Sequence, residues 1–118
     1  MALLVQKFGG TSVGSVKRIQ SVAKRILASR DLGHELVIVV SAMGHTTDEL
    51  TGLAHSISKN PPQREMDMLL ATGEQVSIAL LSMALHELGA QAISMTGAQV
   101  GIVTESSHGG ARILEVRT

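Results

Sequence analysis

The sequence contains no cysteine, tryptophan or tyrosine and a single phenylalanine among its 118 residues. Without cysteine it has neither a disulfide nor a thiolate metal site, which suits a reducing compartment. One aromatic residue provides no stacking platform for nucleic-acid bases, and ten basic residues are balanced by ten acidic ones. The longest uncharged apolar stretch, residues 75–85, is shorter than the roughly 20 residues that cross a bilayer. We therefore expect a cytoplasmic protein that binds neither nucleic acid nor membrane.

The composition and the hydrophobic pattern of the chain indicate a globular α/β domain. Apolar residues make up 44% of the chain and charged residues 17%, enough for one modest core. The hydrophobic pattern predicts strands over residues 3–7, 35–40 and 91–95, helices over 15–29, 48–58 and 64–88, and short strands over 100–104 and 113–116 joined by a turn at 106–110. Strands that alternate with helices predict a mainly parallel sheet with helices on both faces.

The most informative segment lies between the first strand and the first helix. It presents Lys7, then the paired glycines Gly9 and Gly10, then the hydroxyls of Thr11 and Ser12. Glycines allow close backbone approach, and free N–H groups at a helix start favour an anion. The order of residues differs from a Walker A loop, where the lysine follows the glycines. From these residues alone, a phosphate-binding loop and an ordinary βα turn remain equal alternatives.

Two further loops follow predicted strands and carry small or polar residues. In an open α/β sheet, ligands bind outside the carboxyl ends of the strands, so residues 9–12, 41–44 and 96–97 are expected on one rim. Beyond the second loop, Thr46 and Thr47 can bind a substrate carboxylate or phosphate, and one of them is expected to provide the N-cap of the second helix; the two roles are compatible. Glu74 follows Gly73 in the long helix and either faces solvent or contacts a substrate amino group. Gly73 itself marks a break or a close backbone approach.

The titratable residues predict no metal site. The five histidines have no metal-ligand spacing and no carboxylate placed to form a triad.

Four segments together resemble the aspartate kinases, within the wider amino-acid kinase superfamily. The matching residues are Lys7-Phe-Gly-Gly-Thr-Ser-Val-Gly14, Val40-Ser-Ala-Met-Gly-His-Thr-Thr-Asp-Glu-Leu50, Arg64-Glu-Met-Asp-Met-Leu-Leu-Ala-Thr-Gly-Glu-Gln-Val-Ser77, and Thr96-Gly-Ala-Gln-Val-Gly-Ile102, with His108 and Ala111-Arg-Ile113 closing the match. They occur in order and cover essentially the whole chain. The resemblance implies a three-layer αβα, amino-acid kinase (carbamate-kinase-like) fold, present here in incomplete form.

The resemblance also implies a reaction and a set of site residues. Aspartate kinases phosphorylate the aspartate side-chain carboxylate with ATP, giving 4-phospho-aspartate, the first step towards lysine, threonine and methionine. The implied nucleotide-binding residues are Lys7, also the catalytic residue, with Phe8, Gly9, Gly10, Thr11 and Ser12. The implied substrate-binding residues are Ser41, Thr47 and Glu74. Magnesium is expected on the nucleotide phosphates.

The chain departs from the family pattern at one loop and in length. The pair Gly109-Gly110 stands where a more polar or basic pair is expected. The family's kinase domain is about twice this length, and no regulatory ACT domain is present in the 118 residues. We therefore expect the N-terminal part of a kinase domain, either a homo-oligomer or associated with the remaining half. The alternatives are a non-catalytic truncated product that binds anions weakly or self-associates, and another amino-acid kinase, acting on glutamate or acetylglutamate.

Overall fold

The computed structural model describes residues 2–96, 99, 102–104 and 113–116. Its elements are β1 (Leu3–Phe8), α1 (Val16–Asp31), β2 (Glu35–Val40), α2 (Thr46–Ile57), α3 (Gln63–Glu87), β3 (Ile102–Thr104) and β4 (Ile113–Val116). The three predicted helices, the first two strands and the two C-terminal strands are all confirmed. The turn predicted over residues 106–110 lies outside the described residues.

The strands form two separate pairs. β1 and β2 are parallel, with Leu3 opposite Glu35 and Phe8 opposite Val40, and α1 connects them. β3 and β4 are antiparallel and form their own two-stranded sheet. The parallel pair positions both loops that follow its strands at the same edge, because parallel strands end on the same side.

The prediction of a third strand over residues 91–95 is wrong for the described structure, in which this segment forms no strand. The carbonyl oxygen of Ala92 accepts hydrogen bonds from α3 instead, at 2.7 Å from His86 Nε2 and 3.4 Å from Ser82 Oγ. A groove of about 930 Å³ is lined by this segment and by residues of β2. The apolar pattern predicted a buried strand, but Ile93 and Met95 are 77% and 43% exposed. A strand also needs ladder hydrogen bonds, which depend on tertiary placement.

The core lies on one face of the parallel pair. Alternation along β1 and β2 directs Phe8 and Val40 towards the helices, where both are buried. They join apolar side chains of α1 and α3 in a single cluster; the buried helix residues in it are Ile19, Val22, Ala23, Ile26, Leu81 and Leu85. The i, i+3, i+4 spacing of the α1 residues explains why that helix packs along one stripe.

The other face of the parallel pair carries exposed apolar side chains, which we call the open face. Leu3 and Val5 are 65% and 68% exposed, and Val37 and Val39 are 48% and 46% exposed. The expectation of helices on both faces is therefore not met within residues 2–96, where the helices that pack on this sheet, α1 and α3, share one side. Two of the three layers of an αβα arrangement are thus described.

The long helix α3 runs without interruption from Gln63 to Glu87, through Gly73. By length and composition it is apolar enough to cross a membrane, a test that core helices of soluble proteins also meet. In this structure α3 contacts both α1 and α2. Its buried residues are Gly73, Ser77, Leu81 and Leu85.

Candidate functional site

The loops that follow β1 and β2 are joined directly to each other. The N–H of Ser41 donates to the carbonyl oxygen of Phe8 at 3.1 Å, and the N–H of Gly44 donates to that of Gly10 at 3.0 Å. Gly44 has a φ of +47°, a conformation that glycine adopts without strain. The first two predicted strand-end loops therefore meet at one edge of the sheet.

The two paired glycines have different surroundings. A Cβ atom added at Gly9 would have nothing within 4 Å, whereas one at Gly10 would lie 2.9 Å from the carbonyl oxygen of Ala42. Gly10 is therefore required by the packing of the two loops, and Gly9 leaves open space at the end of β1. An approaching ligand has access to the backbone at Gly9.

Hydrogen bonds inside the first loop fix its shape. The N–H of Ser12 donates to the carbonyl oxygen of Gly9 at 3.0 Å. The Oγ of Ser15 accepts from the N–H of Arg18 at 3.2 Å and caps α1, as its position predicts. Arg18 also reaches back, and its Nη1 donates to the carbonyl oxygen of Thr11 at 2.7 Å. The loop is thus built rigidly onto the first turn of α1.

The side chains of β1 at this edge point to opposite faces. Lys7 is exposed and shares the open face with Val5 and with Val39 on β2, so its ammonium is available beside the loop. Phe8 is buried in the core, and the guanidinium carbon of Arg25 lies 5.6 Å from its ring centre. The prediction that Phe8 contacts a nucleotide is therefore restricted to its backbone.

The second loop presents its hydroxyls at the start of α2. Ser41 is partly buried and Thr47 is exposed in the first helical turn. The prediction that a threonine caps this helix is wrong: α2 begins at Thr46, His45 is the N-cap, and it makes no side-chain capping bond. Sequence spacing suggested a cap one or two residues later because the loop's tight turn, closed by Thr46 N–H to Met43 O at 2.8 Å, was not foreseen.

The third segment of the site comes from α3. A Cβ added at Gly73 would lie 3.1 Å from Ala42 Cβ and 3.2 Å from Thr46 Cγ2. This confirms the close approach predicted for Gly73 and excludes the break. Glu74 follows directly and is exposed. The helix therefore brings the residue that precedes this carboxylate against the second loop and the start of α2.

The third predicted rim segment is described only in part. Thr96 donates its N–H to Gln99 Oε1 at 2.8 Å, in a local turn. Gly97 lies outside the described residues, so this member of the predicted rim stays a prediction.

Taken together, the predicted site residues provide the Lys7 ammonium, several hydroxyls, exposed backbone at Gly9 and the Glu74 carboxylate, with Asp48 and Glu49 also in the first turn of α2. A cation with backbone N–H groups at a helix start suits phosphate, and a carboxylate suits an amino group. The groove of about 930 Å³ beside β2 contains none of these predicted ligand residues and is mainly apolar in its lining. We therefore assign the candidate site to the loop edge, on the chemistry of its groups.

Two residues that the sequence reasoning did not single out prove important for the site. Arg18 holds the first loop through Thr11, and Ala42, which is only 5% exposed, lies against both Gly10 and Gly73. For Arg18 the signal was its position three residues after the cap Ser15. For Ala42 the sequence contained no such signal, because its role depends on contacts with two glycines that are distant in the chain.

Comparison with known proteins agrees with the fold and with these segments. The model of the amino acid kinase family matches residues 2–117, and the chain belongs to that family. The chain is 62% identical to an aspartokinase of Geobacillus stearothermophilus over 118 residues, which are 100% of this chain and 29% of that protein. It is 63% identical to aspartokinase 2 of Bacillus subtilis (strain 168), again over 100% of this chain and 29% of the relative.

A solved structure shows the same similarity to aspartate kinases. The crystal structure of aspartate kinase from Synechocystis superimposes with a TM-score of 0.83 at 66% identity, covering 86% of this chain and 17% of that one. The chain thus spans about three-tenths of the length of the curated relatives it matches. The amino-acid kinase fold predicted from the four motifs is confirmed, with the αβα arrangement incomplete.

Proposed function

We propose that this chain carries the phosphate-binding loop and part of the aspartate site of an aspartate kinase. The reaction transfers the γ-phosphoryl group of ATP to a side-chain carboxylate oxygen of L-aspartate. The bond from the γ-phosphorus to the bridging oxygen breaks, ADP leaves, and 4-phospho-L-aspartate forms, the first step towards lysine, threonine and methionine. The observation that carries the proposal is the junction of the loops after β1 and β2 with Gly73 of α3, the residue before Glu74, in a chain so similar to aspartokinases.

On the nucleotide side, Lys7 and the loop of residues 8–12 bind the phosphates. Lys7 provides a full positive charge at the end of β1, where charge moves between phosphate oxygens during transfer. Gly9 leaves room for a phosphate against the backbone, and Thr11 and Ser12 offer exposed hydroxyls. Because Arg18 and Ser15 hold this loop in shape, little ordering is required when the nucleotide binds.

On the acceptor side, Ser41, Thr47 and Glu74 bind aspartate. Hydroxyls of Ser41 and Thr47 suit its carboxylates, and the carboxylate of Glu74 suits its amino group. Ser41 lies closest to the nucleotide loop, since its N–H is bonded to Phe8. The two substrates thereby bind to two loops that are joined to each other. Orienting the reactants is a main contribution of a protein to phosphoryl transfer.

Magnesium is proposed to enter with the nucleotide. Among the residues described here, no group of three His, Asp or Glu side chains is placed to hold a metal ion. Magnesium commonly binds through substrate phosphates with one or two carboxylates and water, and it would neutralise phosphate charge. The chemistry of the loop, a cation with hydroxyls and N–H groups, therefore fits a phosphate that brings its own magnesium.

We further propose that residues 1–118 form the N-terminal part of an amino-acid kinase domain of a cytoplasmic enzyme, acting with the remaining part of that domain. By itself the 118-residue chain is expected to be inactive, because the family's adenine pocket and further substrate contacts lie in the other half. A homo-oligomer is the alternative assembly.

The first test joins this chain to the remaining length of the Geobacillus stearothermophilus relative, in place of that protein's own matching segment. The chimera is expected to form ADP only when both ATP and aspartate are present, and the 118-residue chain none above background. Replacing aspartate by glutamate or acetylglutamate tests the other amino-acid kinases. Lys7→Ala should lower kcat at least about 100-fold, because charge stabilisation is lost.

The matched control is Lys24→Ala, which removes an exposed lysine in the middle of α1, beyond the first turn that Arg18 joins to the loop. It should leave the rate unchanged. A chimera that folds but phosphorylates glutamate in preference to aspartate, or equal rates for both lysine variants, would contradict the proposal.

A further inference from the structure

Gly73 occupies a position where a glycine is unfavourable for the helix itself. It lies near the middle of α3, a helix of 25 residues. Glycine in a helix interior costs about 1 kcal/mol relative to alanine. Its backbone φ is not positive, so no unusual conformation requires a glycine there. The requirement comes from packing, because an added Cβ would be 3.1 Å from Ala42 Cβ and 3.2 Å from Thr46 Cγ2.

Ala42 is held between glycines of two other segments. Gly73 approaches its Cβ from α3, and a Cβ at Gly10 would come within 2.9 Å of its carbonyl oxygen. Ala42 is 5% exposed, so its methyl group cannot move out into solvent. The residue thus sets the spacing between the first loop, the second loop and α3.

Each of these three packing residues adjoins a residue of the proposed site. Gly10 follows Gly9, Ala42 follows Ser41, and Gly73 precedes Glu74. The contact of Ala42 with Gly73 is therefore one peptide unit away from two residues proposed to bind aspartate, Ser41 and Glu74. Errors of about 1 Å in such placement cost up to 100-fold in rate.

We infer that Gly73 is a positioning residue, whose missing side chain sets the distance from Glu74 to the second loop and so the fit of the aspartate amino group. This inference rests on the proposed function. The two loops are joined to each other by the Gly44–Gly10 hydrogen bond at 3.0 Å and by the close contact at Gly10. A methyl group added at residue 73 therefore displaces α3, with Glu74, and leaves the phosphate loop in place.

The test uses the chimera described above. Gly73→Ala is expected to raise the KM for aspartate about 10-fold, since the amino-group contact is displaced by a few tenths of an ångström. The KM for ATP is expected to stay within about twofold, because the phosphate loop does not move. A general loss of folding would instead lower the active fraction without separating the two KM values.

A compensating exchange identifies the contact. In the double variant Ala42→Gly, Gly73→Ala, the methyl group moves from the loop to the helix, and the nearest contact partner of the new Cβ is gone. This variant should recover part of the lost affinity for aspartate, because Thr46 Cγ2 still lies 3.2 Å from the new Cβ. Gly52→Ala is the matched control: Gly52 is also helical, in α2, but an added Cβ there has nothing within 4 Å. It should leave both KM values unchanged.

The outcomes separate this inference from the proposed function. An unchanged aspartate KM in Gly73→Ala, or an equal rise for both substrates that the exchange does not reverse, overturns the positioning role. An inactive parent chimera contradicts the proposed function instead. The contact is then tested in the 118-residue chain by urea unfolding, where non-additive midpoint shifts for Ala42→Gly and Gly73→Ala support the packing, and additive shifts refute it.

Discussion

The paired glycines show how neighbouring identical residues serve different purposes. Gly10 lies against the carbonyl of Ala42, where no side chain fits, whereas Gly9 faces open space. Neither has a positive φ. Gly10 is therefore required for steric reasons. Under the proposed function, Gly9 instead gives the ligand access to the backbone.

This difference leads to a prediction at the level of single residues. Gly10→Ala should lower the free energy of unfolding by about 1–3 kcal/mol, since the backbone carbonyl it meets cannot rotate away like a side chain. Gly9→Ala should leave stability unchanged within about 0.5 kcal/mol, as for a surface substitution, and yet weaken ATP binding in the chimera. Urea unfolding and nucleotide titration measure the two effects. Equal loss of stability in both variants would contradict the assignment.

The helix α1 shows how an element and a loop stabilise each other. Ser15 ends the loop and caps the helix through the N–H of Arg18, and the side chain of Arg18 returns to the loop at Thr11. α2 lacks a side-chain cap and has no buried residue, so it depends on its contact with α3. The proposed phosphate loop is thus attached to an element that is both capped and well packed.

We expect Ser15→Ala to lower the free energy of unfolding by about 1 kcal/mol, the usual cost of losing an N-cap. Because the cap also fixes the end of the loop, affinity for ATP should fall with it. Ser21→Ala in the same helix is the control, since Ser21 bonds only to the carbonyl of Lys17 and is exposed. Thermal unfolding followed by circular dichroism checks both. If Ser21→Ala lowered the free energy of unfolding as much as Ser15→Ala, the stability loss could not be attributed to the N-cap.

The two faces of the parallel pair of strands are covered to different extents. The helices α1 and α3 cover one face, while Leu3, Val5, Val37 and Val39 are exposed on the open face. Parallel sheets are usually buried on both faces, so this surface requires a covering layer. The relatives are more than three times as long as this chain, which supports the rest of such a kinase domain as the source of that layer.

The 118-residue chain is therefore expected to self-associate through the open face as its concentration rises. Val37→Lys should reduce this association, measured by sedimentation velocity, because it inserts a charge opposite Val5. Met83→Lys is the control, since Met83 is exposed on α3, away from the sheet. A larger effect of Met83→Lys would assign the association to α3, and a monodisperse monomer for the unsubstituted chain would contradict the prediction.

The sequence by itself determined the three helices, the first two strands and the family, and it supplied the residues that the proposal places at the site. Helical spacing along α1, the unbroken apolar run of β2 and the serine at the start of α1 act locally, so their outcomes were predictable from neighbouring residues. The motif that begins at Lys7 was an open choice between a phosphate loop and a plain turn. The three other motifs favoured the phosphate loop through the family resemblance, and the match of the amino acid kinase family confirms that resemblance.

Only the tertiary structure decided how the segments meet. Residues 91–95 form no strand, and the Ala92 carbonyl bonds to α3. The threonines of α2 do not cap because a turn at Met43 starts the helix early. The contacts of Ala42 with Gly10 and Gly73 join residues more than 30 positions apart. Such contacts depend on steric fit between distant segments, which no local pattern encodes, and in this protein they set the geometry of the proposed site.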